Sequence, residues 1–108
     1  MESLRKSRDF RKVIEGGNKA VLETITIFTL PNREGKIRLG VSVSRKSGGS
    51  VKRNRIKRRI KEAVRKNSHR LPQSVDMVVM TRKGAGEASF HELERDICSL
   101  CGDKEEGR

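Results

Sequence analysis

The chain has neither tryptophan nor tyrosine, and Phe10, Phe28 and Phe90 are its only benzene rings. Unpaired nucleic-acid bases are held largely on aromatic or guanidinium planes, so at most these three side chains could offer an aromatic one. Long apolar runs are missing too. No stretch approaches the ~20 residues of a membrane span, and residues 1–5 lack the apolar segment of a secretory signal, so a cytoplasmic protein with no membrane partner is the expectation. Only two cysteines occur, Cys98 and Cys101. A zinc site needs two further ligands at compatible spacing, and His69 and His91 form no such pair. A redox C-x-x-C sits at a helix start, where the helix dipole lowers the thiol pKa, whereas this one closes a helix. Two reduced thiols packed near the core are therefore expected. The serines lack a histidine–carboxylate relay, and Asp9, Glu23, Glu34, Glu62, Asp76 and Glu87 stand singly among bases. Asp76 reads as a strand-end or capping group rather than a metal ligand, and neither a catalytic residue nor a protein-held metal is assigned.

What the chain has in excess is positive charge. Lysine and arginine number 26 against 14 acids, a formal net charge of +12 with a sequence pI near 10.5. Nucleic acid is the partner such a balance favours, ahead of membrane or acidic protein. With 37% charged and 32% hydrophobic residues in 108, one domain with a thin core is expected.

The charge concentrates in residues 50–66, which also form the strongest helical pattern. Ile56, Ile60, Ala63 and Val64 fall at i, i+4, i+7 and i+8, one apolar stripe suited to packing on a sheet. At about 100° per residue, Asn54, Lys57, Arg58, Lys61 and Arg65 lie on an arc away from that stripe, and Arg55, Arg59 and Lys66 extend it. Only Glu62 interrupts the positive charge. Like charges three and four apart work against an isolated helix, and a polyanion with closely spaced phosphates would offset this. The bland alternative is a solvated face kept for solubility, but such faces usually mix both signs.

Around this helix the pattern predicts a short helix over 7–15, capped by Ser7, with Phe10, Val13 and Ile14 on its apolar face. A strand over 22–30 follows, with Ile25 and Ile27 on one face and Thr24, Thr26 and Phe28 on the other. Phe28, alternating with threonines, is the ring expected to be least committed to the core. A second strand spans 36–44 with Ile37, Leu39, Val41 and Val43 inward, and an interior strand spans 75–81. Residues 45–49 and 82–86 are basic, glycine-containing connectors, the first without the residue order of a phosphate-binding P-loop. Ser89 and Glu92 form a capping box for a last helix bearing Phe90, Leu93, Ile97, Leu100 and Cys101, where Phe90 reads as core. The result is an αββαβα pattern, with room for one more strand near Val21. It describes a single α/β (α+β) sandwich over 1–101, with 102–108 expected to be a disordered tail.

Residues 51–60, Val-Lys-Arg-Asn-Arg-Ile-Lys-Arg-Arg-Ile, resemble the Arg-Asn-Arg signature helix of the bacterial ribonuclease P protein family. Residues 38–48, with Gly40-Val41-Ser42-Val43-Ser44, resemble the strand and loop that lead into it, and residues 4–10 and 27–30 match in order. The resemblance covers nearly the whole chain. It implies a left-handed βαβ crossover, against the general rule. It also implies a protein that is not itself catalytic and that assists a catalytic RNA, using RNA-held Mg²⁺, in removing the 5′ leader of precursor tRNA. On this resemblance Arg45, Lys46, Arg53, Asn54, Arg55, Lys57, Arg58 and Lys61 would meet the catalytic RNA. Phe10, Ile14 and Phe28 would line a cleft for the leader, with Ile14 where other members can carry an aromatic. Two other classes stay open: a ribosomal or ribosome-assembly protein that coats folded RNA, and a DNA-binding module. The latter is disfavoured because, apart from Arg and Lys, the helix offers only Asn54 as a strong base reader. Oligomeric state is not encoded legibly.

Overall fold

In the computed structural model the described residues are 1–82 and 84–100. The expectations for Lys83, Cys101 and the tail lie outside them. The elements in order are β1 (Glu2–Ser3), α1 (Ser7–Gly16), β2 (Asn18–Val21), β3 (Ile25–Pro31), β4 (Ile37–Ser42), α2 (Ser50–Lys66), β5 (Val75–Thr81) and α3 (Phe90–Cys98). They form a mixed five-stranded sheet in the order β1-β4-β5-β3-β2. β4 runs parallel to β1 and β5, and β3 antiparallel to β5 and β2.

Strict alternation assigns the two faces. Ile25, Ile27, Ile37, Leu39, Val41, Val75, Met77 and Val79 point to one side, where they pack with Ile56, Ile60, Ala63 and Val64 of α2 and Leu93 and Ile97 of α3. This is the main core. Ile56, Ile60 and Val64 are essentially fully buried, each contributing about 1.5 to 3 kcal/mol of burial. The other face carries α1 over a smaller cluster of Leu4, Val13, Phe28 and Val78.

The hand of the β4–α2–β5 crossover follows from one hydrogen bond. Leu39 points its side chain towards α2, and its carbonyl accepts from the Leu4 N–H at 2.8 Å, so that carbonyl faces β1. With β4 running upward and the Leu39 side chain towards the viewer, L-chirality turns the carbonyl to the right. Thus β1 lies right of β4 and β5 left. The chain passes through α2 in front and moves left, which is the left-handed connection, against the usual preference.

Several boundaries differ from expectation, β4 among them, which ends at Ser42 and not at residue 44 because Ser44 caps the 3-10 turn Arg45–Ser47. β3 starts at Ile25 because residues 22–24 turn the chain out of β2, with Leu22 N–H donating to Ile25 O at 2.9 Å. Thr24 is then anchored by Asp96, whose carboxylate accepts from its N–H at 2.8 Å and its hydroxyl at 2.6 Å. Ser7 is the first helical residue of α1 rather than its cap, which is Lys6 with no side-chain bond. The extra strand near Val21 is β2, while β1, two residues long, has no sequence pattern to announce it.

Candidate nucleic-acid interface

The face of the sheet beneath α1 is ordered in rows by strand register. Glu2, Arg38, Asp76 and Leu30 make one row, Gly40, Val78, Phe28 and Lys19 the next, and Ser42, Met80, Thr26 and Val21 the third. α1 lies over the middle row. Val13 faces the sheet, and a Cβ on Gly40 would come 2.5 Å from Phe10 Cζ, so only glycine admits the ring there. Asp9 shares a cavity with Arg38 on the side of the first row. Going round α1 from Val13 the opposite way reaches Phe10 and Ile14, which are partly buried against the Leu4, Val13, Phe28 and Val78 cluster.

Phe10 and Ile14, four residues apart, line one groove of about 490 Å³ together with Arg5 and Arg11. Phe10 also lines a second cavity, about 410 Å³, whose other wall is Lys57 and Lys61 of α2. The structure therefore joins a ring of α1 to cations of α2 across the open edge of β4. Phe28 stands differently from its expectation. It is 7% exposed, under α1 against Val13 and Val78, with Lys19 Nζ 5.9 Å from its ring centroid. Threonine alternation marks its strand face, but α1 covers that face at the Phe28 level, so the ring is a floor rather than an open platform. Phe90 packs on the main core, as read from the sequence.

On α2, Asn54, Arg55, Arg58 and Lys61 are exposed and Arg53 and Lys57 half-buried. Arg45 and Lys46 are exposed on a 3-10 turn, Arg45–Ser47, where Ser44 Oγ accepts from the Lys46 N–H at 3.1 Å. Among the described residues none of these cations has a carboxylate partner. The acids near α2 are taken by others: Glu87 by Lys52 at 3.1 Å, Glu94 by Lys66 at 3.5 Å, and Glu62 by Arg65. Arg53, Asn54 and Lys57 surround a small hollow of about 120 Å³, and Arg53 Nε is buried with no hydrogen-bond partner among the described residues. Arg59 is turned inward, donating to the Ala88 carbonyl at 3.3 Å, and so leaves the cationic arc.

The buried acids are committed to structure. Asp76 is held by Arg38, Nε to Oδ1 at 2.7 Å and Nη2 to Oδ2 at 2.8 Å, and by Asn32 at 2.8 Å. The Arg38 hydrogen bond, aided by Asn32, holds the Asp76 carboxyl below the usual carboxylate range against the opposing effect of burial. The Asn67 amide, with Lys66 beside it, does the same for Glu94. Asp76 thus sits within β5 as an ion-pair partner rather than at a strand end. Among the described residues no group of three or more His, Cys, Asp or Glu side chains is arranged to hold a metal, and no helix is long and apolar enough to cross a membrane.

A left-handed βαβ sandwich whose α2 keeps Arg53, Arg55, Lys57, Arg58 and Lys61 free of carboxylate partners among the described residues, beside a groove along α1, has the charge pattern of a nucleic-acid-binding protein of the α/β type. Comparison with known proteins gives the family. The model for the family "Ribonuclease P" matches residues 1–105. The chain is 38% identical over 99 residues to the ribonuclease P protein component of Bacillus pumilus, covering 90% of this chain and 82% of that one. It is 35% identical over 100 residues to that of Clostridioides difficile, covering 92% and 88%. The solved RNase P protein of Thermotoga maritima superposes with a TM-score of 0.84 at 30% identity, over 94% of this chain and 96% of that one. That of Staphylococcus aureus gives 0.83 at 27%, over 93% and 92%. The chain belongs to the ribonuclease P protein component family, the protein part of the holoenzyme that cleaves tRNA precursors. Its partner is accordingly an RNA subunit, and nothing favours the ribosomal alternative.

Proposed function

We propose that this chain divides its work between two surfaces. Arg45, Lys46, Arg53, Asn54, Arg55, Lys57, Arg58 and Lys61 bind the catalytic RNA by neutralising phosphates and releasing their counterions. Phe10 and Ile14, with Phe28 beneath them, hold the 5′ leader of precursor tRNA. The observation that carries this reading is the cavity shared by Phe10, Lys57 and Lys61, which makes the cleft continuous with the cationic helix. Leader contacts are available to the substrate and not to mature tRNA, so the protein favours substrate over product. Hydrolysis itself is assigned to the RNA, with Mg²⁺ held there; among the described residues the buried carboxylates of Asp76 and Asp96 are engaged by Arg38 and Thr24. The reaction is placed in the cytoplasm.

The test is cleavage of precursor tRNA by a bacterial catalytic RNA at low Mg²⁺, with and without the protein. Faster cleavage and tighter precursor binding with the protein present support the reading; no difference in either would sink it.

A further inference from the structure

The sheet face beneath α1 continues past the helix to β2 at its far edge. In the row Ser42, Met80, Thr26, Val21, the first three are half-buried or exposed only in part, but Val21 on edge strand β2 is 55% exposed. It is one of three exposed large apolar side chains among the described residues. Two residues earlier on the same face, about 7 Å along the strand, stands Lys19. Lys19 is exposed, and among the described residues its ammonium has no carboxylate partner and touches only the Phe28 ring. A free cation beside a bare apolar side chain, at the end of a row that begins next to the basic turn after β4, suits a nucleotide: a phosphate for the ammonium and a base face for the valine.

We propose that Lys19 and Val21 form a terminal subsite for the 5′-proximal part of the leader, at the end of the cleft opposite α2. The inference rests on the leader-binding reading above. It follows from direction. If α2 lies on the catalytic RNA, the scissile phosphate is on the α2 side, and the free end of the leader runs across the row towards β2. The distance from β4 to β2 is three strand spacings, about 14 Å, so only leaders long enough to cross it reach the subsite.

The experiment uses holoenzyme reconstituted with a bacterial catalytic RNA, carrying Lys19→Gln or Val21→Thr, and precursor tRNAs whose leaders are trimmed stepwise from the 5′ end. Both positions are exposed, so the melting temperature is expected to hold. Long-leader substrate is expected to bind about 3-fold to 10-fold more weakly to the variants, and Lys19→Gln to lower the salt slope by about 0.7, one single-strand phosphate contact. The deficit vanishes once the leader is short, and mature tRNA binds unchanged. A Phe10→Ala holoenzyme run alongside separates the two readings. If Phe10→Ala weakens precursor binding while Lys19→Gln and Val21→Thr leave long leaders unaffected, the subsite is wrong and the cleft stands. If all three variants bind every substrate like the unaltered protein, the leader reading fails and the subsite with it. Equal loss on mature tRNA overturns the subsite in favour of a general RNA contact.

Discussion

Phe10 rests on the backbone of Gly40: the ring of α1 occupies the space a side chain on β4 would fill, with Cζ 2.5 Å from where a Cβ would stand. The cleft wall is thus positioned by a missing methyl group. Gly40→Ala must push Phe10 away or lift α1, and overpacking of this kind costs about 1 to 3 kcal/mol. The expected result is a lower melting temperature together with weaker precursor binding, while affinity for the RNA subunit alone is retained. Unchanged precursor affinity in a folded Gly40→Ala protein would show that the position of Phe10 does not matter to the substrate.

Replacing Lys57, Arg58 and Lys61 together with glutamate is expected to leave the fold intact, since Ile56, Ile60 and Val64 carry the packing of α2. RNA-subunit affinity is expected to collapse, and the slope of log K against log salt to shrink by about 2 to 3 as three phosphate contacts are lost. Titrations at several salt concentrations measure it, and an unaltered slope would remove α2 from the interface.

Phe10→Ala in the holoenzyme is expected to weaken precursor tRNA binding by about 5-fold to 150-fold, the range for one lost base stack, with little change for mature tRNA. Phe28 needs a gentler change. At 7% exposure its truncation to alanine would cost about 3 to 5 kcal/mol of core packing. Phe28→Leu keeps most of the volume, so a binding loss confined to precursor would report on the ring and not on unfolding.

The Arg38–Asp76 pair sets an acid limb for stability. Because the Asp76 pKa is lowered in the folded state, its contribution is present above the carboxylate's unfolded value and is lost as pH falls through the folded one. Asp76→Asn is expected to destabilise the protein by about 1 to 3 kcal/mol at neutral pH, leaving the half-buried Arg38 without its anion. The gap between the two proteins then narrows as the pH is lowered below the carboxylate range. Melting curves from neutral to acid pH check this, and a constant gap would mean the pair contributes nothing.

Much of this was legible because periodicity is strong where burial is one-sided. α2 occupies residues 50–66 and β5 residues 75–81, as the patterns require, and the Ser89–Glu92 capping box is formed at both of its bonds. The cationic arc was readable from the helical angle alone, except at Arg59, whose inward turn depends on a carbonyl supplied by a distant loop. The burial of Phe28 is not legible in the alternation, which tells which face a residue takes but not what lies over that face. β1 was invisible, since two exposed residues carry no pattern and owe their strand geometry wholly to β4. Gly40 and Lys19 left weaker traces: a glycine inside a strand, and a lysine whose place beside Phe28 appears only from the β2–β3 register.

The shortness of β1 has a consequence for solubility. It pairs with Arg38 and Leu39 only, so β4 runs on through Ser42 with one flank open, the sort of strand edge on which another chain could add itself. Arg5, Lys57 and Lys61 stand around that flank. Before any RNA arrives, the like charge of a second copy would oppose its approach to that edge. Neutralising these cations would lower that barrier to self-association, and on the proposed RNA contact phosphate would cover the same flank.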